Sequence, residues 1–322
     1  MMIDANKPSN QENDLKSTRD GFGAGLIEAA IRNKKVVALS ADLADSTRVQ
    51  PFAQRFRQRY FEVGVAEQNL IGVAAGMAMS GLIPFTASYA CFSPANSWGV
   101  IRTSVCYNNA NVKIMGGHAG LSTGPDGATH QSLEDIATMR VLPNMVVLSP
   151  VDGHEAYQAT LAAAEYDGPV YIRTSKIELP NITAKHQPFV IGQASLLASG
   201  SDISLISCGY MSYQANLVSE NLAKHGIGAR VINMSSIKPL DVKILEKAFK
   251  ETRLVITLED HQIAGGLGSA VAEVAMEAGW RTKFERLGIV DSFGKSGKAG
   301  ELYQRYELNP NNIIETILNI LA

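Results

Sequence analysis

The 322 residues are 46% hydrophobic and 19% charged, which is apolar material for two cores and excludes a disordered chain. With 29 basic and 31 acidic residues and no basic run longer than a pair, the chain carries no electrostatic footprint for nucleic acid or an anionic membrane. Cys91, Cys106 and Cys208 form neither a CxxC pair nor an even disulfide framework, so a reducing, cytoplasmic setting is expected.

Residues 1–13 are polar, lack the basic-then-apolar grading of a signal peptide, and read as a flexible leader. Residues 14–178 read as a first domain. Its β-branched and aliphatic runs predict strands at 35–40, 61–65, 84–88, 112–117, 145–149 and 169–174. Helical patterns lie between them at 16–32, 67–80, 91–107 and 152–165. Alternation of this kind means a parallel sheet covered on both faces. The stretch from Ile71 to Ala87 is nearly uncharged, but Gly76, Gly81 and Pro84 interrupt it, so it reads as helix, stop and strand rather than a membrane span.

Residues 179–190, with Pro180 and Pro188, read as a linker. Strands at 203–208, 229–234, 254–259 and 282–288 then alternate with helices at 211–225, 240–250 and 267–278, giving a second domain over 191–322. The fold class is α/β, with two parallel-sheet-based domains. Open parallel sheets bind ligands beyond the carboxyl ends of their strands, so the loops that follow the strands are where chemistry is sought.

Glu67, in Gly64-Val65-Ala66-Glu67-Gln68-Asn69, follows a strand and opens a helix among apolar neighbours. The helix N-terminus favours its carboxylate, whereas burial would favour the neutral acid. A group so balanced can share a proton with a ligand nitrogen; a plain helix-capping glutamate is the alternative. Five of the twelve residues from 116 to 127 are glycine, so the loop holding His118, Asp126 and His130 either turns tightly or approaches a ligand closely. A glycine-rich surface loop with solvated histidines is the competing reading. Tyr89 and Phe92 could present a flat face to a heteroaromatic ring, although such a pair alone is more often core. Gly265-Gly266-Leu267-Gly268 lacks the full dinucleotide fingerprint and reads as close helix–strand packing. Arg19 and the string Arg173-Thr174-Ser175-Lys176 could bind phosphate or nothing.

Together these segments resemble the transketolase family of thiamine-diphosphate enzymes. The matching strings are Ser40-Ala41-Asp42-Leu43-Ala44-Asp45-Ser46-Thr47, Val65-Ala66-Glu67-Gln68-Asn69, Gly124-Pro125-Asp126-Gly127-Ala128-Thr129-His130-Gln131 and Glu259-Asp260-His261. With Lys238-Pro239-Leu240-Asp241 and Lys295-Ser296-Gly297-Lys298 they stand in the family's order from about Lys16 onward. The resemblance covers the pyrimidine-binding and C-terminal domains only; the family's Gly-Asp-Gly…Asn signature for diphosphate and metal does not occur. It implies a C-terminal subunit of a two-gene enzyme that is inactive alone. The expected partner is an N-terminal subunit, holding Mg2+ or Ca2+, in an α2β2 heterotetramer.

By resemblance, Glu67 pairs with N1′ of the cofactor's aminopyrimidine, Phe92 and Tyr89 wall that ring, and His130 sits beside cofactor and substrate. His118 and Asp126 hold sugar hydroxyls, while Arg19, Ser46, Arg173 and Lys176 serve the substrate's phosphate end. No metal ligand is assigned to this chain. The implied reaction moves a two-carbon ketol unit between sugar phosphates. Lys176 stands where many relatives have arginine, replacing a bidentate fork by a point charge. A 1-deoxyxylulose-5-phosphate synthase, a 2-oxo-acid dehydrogenase E1 β subunit and a non-catalytic assembly subunit are the alternatives.

Overall fold

The computed structural model describes residues 15–322, and the leader expected at 1–13 lies outside them. Six parallel strands form the first sheet: β1 (Val36–Ser40), β2 (Tyr60–Glu62), β3 (Ile83–Tyr89), β4 (Lys113–Gly117), β5 (Val146–Leu148) and β6 (Val170–Arg173). The second sheet is built from β7 (Ser195–Ala198), β8 (Ile203–Ser207), β9 (Ala229–Asn233), β11 (Leu254–Gln262) and β12 (Lys283–Ile289), in the order β12-β11-β8-β9-β7. β10 (Ser236–Lys238) comes from the second half of the chain but pairs antiparallel with β5, so the first sheet reads β10-β5-β6-β4-β3-β1-β2.

Both sheets are therefore mixed, each with one antiparallel edge strand, since β7 also runs against β9. β1, β4, β5, β6 and β8 are buried along their whole length, which is why they read as continuous apolar runs. β7 is half-exposed and β10 has three residues; neither carries a pattern that sequence reasoning detects. The Lys238 ammonium ties β10 down by donating to the carbonyls of Arg140 and Leu142 at the end of helix Asp135–Arg140.

Helix Thr18–Arg32 begins at a capping box in which Ser17 and Asp20 bond reciprocally. It lies against helix Gly153–Glu165 so closely that a Cβ at Gly21 would stand 2.1 Å from the Gly153 carbonyl oxygen. Asp152 caps that second helix and also accepts from the amides of Ile182 and Thr183, anchoring the connecting segment. Buried Leu70, Ile136 and Val147 share one cluster with Ile232, Leu245, Val255 and Leu267, so apolar contact is continuous between the halves.

Two expectations change. The strand expected at 61–65 stops at Glu62, because Gly64 turns with φ +71° and its amide donates to Glu62 Oε1. The helix expected at 91–107 is broken into a 3-10 turn (Ala95–Ser97), a single α turn (Trp98–Val100) and a π segment (Ile101–Cys106). Pro94 and Gly99 weaken its regular ladder, and the Thr103 hydroxyl donates to the Gly99 carbonyl. Helix Glu67–Met79 ends before β3, and among the described residues no helix is long and apolar enough to cross a membrane.

Candidate active site

The site lies beyond the carboxyl ends of β1, β3, β4 and β6, where each side chain is aimed by the strand or helix end beside it. Arg19 is in the first turn of helix Thr18–Arg32. Its Nη1 donates to the Ser46 carbonyl at 3.0 Å, in the loop after β1, and approaches His118 Nε2 at 3.5 Å, just past β4. Arginine only donates, so in that contact Nε2 is the acceptor and Nδ1 carries the imidazole proton. His118 Nδ1 and Arg19 Nε are buried without hydrogen-bond partners, two unused donors at one cleft.

The rings form a continuous wall. Tyr89, ending β3, stacks on His118 with centroids 3.8 Å apart and on Phe92 at 5.8 Å. Phe92 meets His130 edge-on at 5.3 Å, and His130 Nδ1 lies 2.9 Å from the Thr129 hydroxyl. Tyr89 and Phe92 are half-buried and belong to none of the buried apolar clusters, so they line a cleft rather than fill a core. Lys176 follows β6 and pairs with Asp126 at 3.6 Å.

Burial, reinforced by the charges of Arg19, Lys176, Arg48 and His130, pushes His118 down to about 3. His118 is thus a neutral hydrogen-bonding group at physiological pH, set among cations. Arg19 is itself lowered, by burial and then by Arg48. Arg48 holds Asp20 at 2.7 Å and has a left-handed backbone (φ 64°); nothing in its local sequence marked it for this place.

Glu67 opens helix Glu67–Met79, and among the described residues its carboxylate accepts no hydrogen bond, so it does not cap the helix backbone. Its charge reaches Cys91, between Tyr89 and Phe92, whose thiol burial pushes up to about 12 with Glu134 and then Glu67 adding to the rise. The closed apolar surround expected for Glu67 is not formed among the described residues: Leu70 and Ile71 are buried, but Glu67 is half-exposed and Val65 is 78% exposed.

Arg173 requires a correction. Its guanidinium, expected at a phosphate, is buried and bonded to Asp135 at 2.9 Å, Asp260 at 2.7 Å and the Asp260 carbonyl at 3.1 Å. It braces β6 to β11 and has no face left for a substrate. Tyr171 and Tyr303 donate to Asp135 and Asp260, closing a network that sequence reasoning did not find. The turn Gly265–Gly268 serves packing: the Leu267 and Gly268 amides donate to buried Glu259 at 2.7 and 2.8 Å, and a Cβ at Gly266 would lie 2.0 Å from that carboxylate.

An unpartnered carboxylate beside two cleft-lining aromatic rings fits an aminopyrimidine, and the adjoining cationic pocket fits an anionic sugar tail. Residues 15–181 match the transketolase pyrimidine-binding domain and residues 192–313 the transketolase C-terminal domain. The chain belongs to the transketolase family, whose members use thiamine diphosphate. A transketolase C-terminal section from Methanocaldococcus jannaschii is 43% identical over 305 residues, covering 94% of this chain and 96% of its own. The 6-deoxy-6-sulfo-D-fructose transketolase subunit of Clostridium sp. strain MSTE9 is 38% identical, covering 92% of each. A solved split-gene transketolase, an inactive β4 tetramer, superposes with a TM-score of 0.88 at 39% identity, covering 94% of this chain and 98% of that one. Within the family, this chain is of the C-terminal subunit type of a split transketolase, an enzyme of ketol transfer.

Proposed function

We propose that this chain, joined to an N-terminal subunit that holds the diphosphate and a Mg2+ or Ca2+ ion, transfers a two-carbon ketol unit from a ketose to an aldose, each with an anionic tail. Carrying this reading is the convergence of Glu67, the Tyr89–Phe92 wall and the Arg19–His118–Lys176 pocket at the carboxyl end of one sheet. Thiamine diphosphate, when bound, supplies an acidic carbon able to attack a ketose carbonyl and stabilise the electron pair that results.

Glu67 holds a proton against the pyrimidine N1′, a role open to a carboxylate with no hydrogen bond of its own. Phe92 and Tyr89 wall the pyrimidine and exclude water. His130 faces the reacting end of the sugar from the edge of Phe92. His118, neutral, and Asp126 bind hydroxyls, while Arg19, the Ser46 region and Lys176 hold the phosphate or sulfonate. The named substrate of the Clostridium relative supports a negatively charged tail without choosing between those two. An α2β2 assembly is the arrangement we favour, in the cytoplasm, where the free cysteines Cys91, Cys106 and Cys208 would stay reduced.

Reconstitution tests the reading. With the partner subunit, Glu67→Gln is expected to cut turnover about a hundredfold or more while calorimetry still detects thiamine diphosphate binding. Near-normal turnover would remove Glu67 from the mechanism.

A further inference from the structure

The loop that carries His118, Asp126 and His130 does not stand free above the first sheet. It is seated on the second domain at four points. A Cβ at Gly120 would lie 1.9 Å from Asp260 Oδ2, one at Gly127 2.4 Å from Ser296 Oγ, and one at Gly124 3.3 Å from the Gly297 carbonyl oxygen. Gly120, Gly124 and Gly127 all have positive φ, between 73° and 78°, so each is required both by the backbone and by the close approach.

The fourth point is Gln131. Its side chain is 4% exposed, and its Nε2 donates both to the Gly124 carbonyl at 3.2 Å and to the Lys295 carbonyl at 2.9 Å. One amide thus links the start of the 124–130 hairpin to the segment following β12, 164 residues away in sequence. Its Oε1 is buried without a partner and lies 1.7 Å from where a Cβ on Gly294 would be. Only glycine at 294 leaves room for the amide, and only an amide or a similar donor at 131 satisfies both carbonyls. The hairpin's own bonds, Gly127 N to Gly124 O and His130 N to Gly127 O, pass that anchorage on to Asp126 and His130.

We infer that Gln131 is a positioning residue, through which the C-terminal domain holds the substrate loop at the spacing that sugar binding needs. Gln131 touches neither cofactor nor sugar; it acts through Asp126, His130 and, by way of the loop's root at Gly120, His118. The inference rests on the reading of this loop as the sugar-binding element. It separates two roles along the chain. Residues around the pyrimidine (Glu67, Tyr89, Phe92) are fixed by the first domain alone, whereas the sugar end depends on the second.

The test uses the enzyme reconstituted with its partner subunit and fructose 6-phosphate as probe donor. Gln131→Ala is expected to raise KM about tenfold, the worth of lost hydrogen bonds in a dry site, with kcat within about twofold. Thiamine diphosphate affinity by calorimetry should be unchanged, while Tm falls by about a few degrees because two carbonyls lose their donor. Gly294→Ala, which displaces the amide without touching the hairpin, should raise KM similarly. The double variant should be little worse than Gln131→Ala, because the amide oxygen and carbon that the added methyl strikes are then gone and the Cβ of residue 131, at 3.3 Å, is the near neighbour that remains. A purely structural role would weaken cofactor affinity and cut kcat as KM rises, and that result would overturn the inference. Unchanged KM in both single variants, or additive effects in the double, would overturn it too. His118→Ala is the control: if it raises KM while Gln131→Ala does not, the positioning role alone fails. If His118→Ala leaves KM unmoved, the sugar-loop reading fails and takes the inference with it.

Discussion

Tyr89 ends β3, His118 directly follows the neighbouring β4, and their rings stack with planes 28° apart and centroids 3.8 Å apart. The stack covers one face of the imidazole while Arg19 and Lys176 supply positive charge nearby, and together these hold His118 neutral. A cationic pocket that also contains a histidine would ordinarily change charge between pH 5 and 8. This one does not.

A stability test follows with a definite sign. His118 falls from its ordinary 6.5 to about 3 in the folded chain. Between those values the unfolded chain binds a proton that the folded chain refuses. Its contribution is therefore neutral above about 6.5 and increasingly destabilising as the pH falls toward 3. Thermal melts of His118→Asn should lose less Tm between pH 6.5 and 4 than those of the parent chain. Parallel slopes would mean that the stack does not hold the ring neutral.

Arg173 makes the second prediction. It is 4% exposed, and its partners Asp135 and Asp260 are as deeply buried. Truncating it leaves two carboxylates without their cation, a defect worth about 3–5 kcal/mol. Arg173→Ala should shift the urea unfolding midpoint down accordingly, and Arg173→Lys should recover only part, because an ammonium cannot reach both carboxylates with a planar fork. A midpoint unchanged in Arg173→Ala would show that the brace does not support the fold.

Arg173 also shows where the sequence stopped being informative. Its neighbours in the chain, Thr174 to Lys176, point toward a strand-end anion site, and Lys176 does face Asp126 there. The carboxylates that claim Arg173 stand 38 and 87 residues away, and no local pattern connects them. The parallel strands were legible because burial on both faces leaves unbroken apolar runs such as Val36–Ser40. β10 was not, since its three residues belong to one half of the chain and its pairing partner to the other. Helix Pro310–Leu321, beyond the last expected strand, carries a short local signal, with Asn309 as cap and Pro310 in the first turn. The candidate site was legible residue by residue, through Glu67, Tyr89, Phe92 and the glycine-rich loop. Its support was not: Arg48, Asp260 and Gln131 acquire meaning only from partners brought close by the fold.

Lys176 is the third case. Its ammonium pairs with Asp126 at 3.6 Å and is about one-third exposed, so it is a mobile point charge rather than a fixed fork. Lys176→Ala should raise KM for fructose 6-phosphate several-fold, and the penalty should shrink as salt rises, because the lost attraction is screened. Lys176→Arg should lower KM for the phosphate, which a guanidinium can grip with two parallel bonds. If neither change moves KM, the tail is held elsewhere and the substrate assignment must be redrawn.

Val65 carries the last prediction. Val65 is 78% exposed and stands two residues before Glu67, whose proposed role calls for a dry site. Phe61, at 37% exposure, adds apolar surface on the flanking strand β2. The role proposed for Glu67 needs water kept from it, and among the described residues Leu70 and Ile71 supply an inner wall. In the proposed assembly the outer wall comes from the partner subunit. Val65→Asp should therefore leave the isolated subunit as stable as before, because an exposed valine contributes little there. It should weaken assembly with the partner and raise the concentration of that partner needed for half-maximal activity. Sedimentation of the mixture, set beside a melt of the variant alone, separates the two effects. A variant that assembles normally and turns over normally would show that Val65 faces solvent in the active enzyme, and that water is excluded from Glu67 by some other surface.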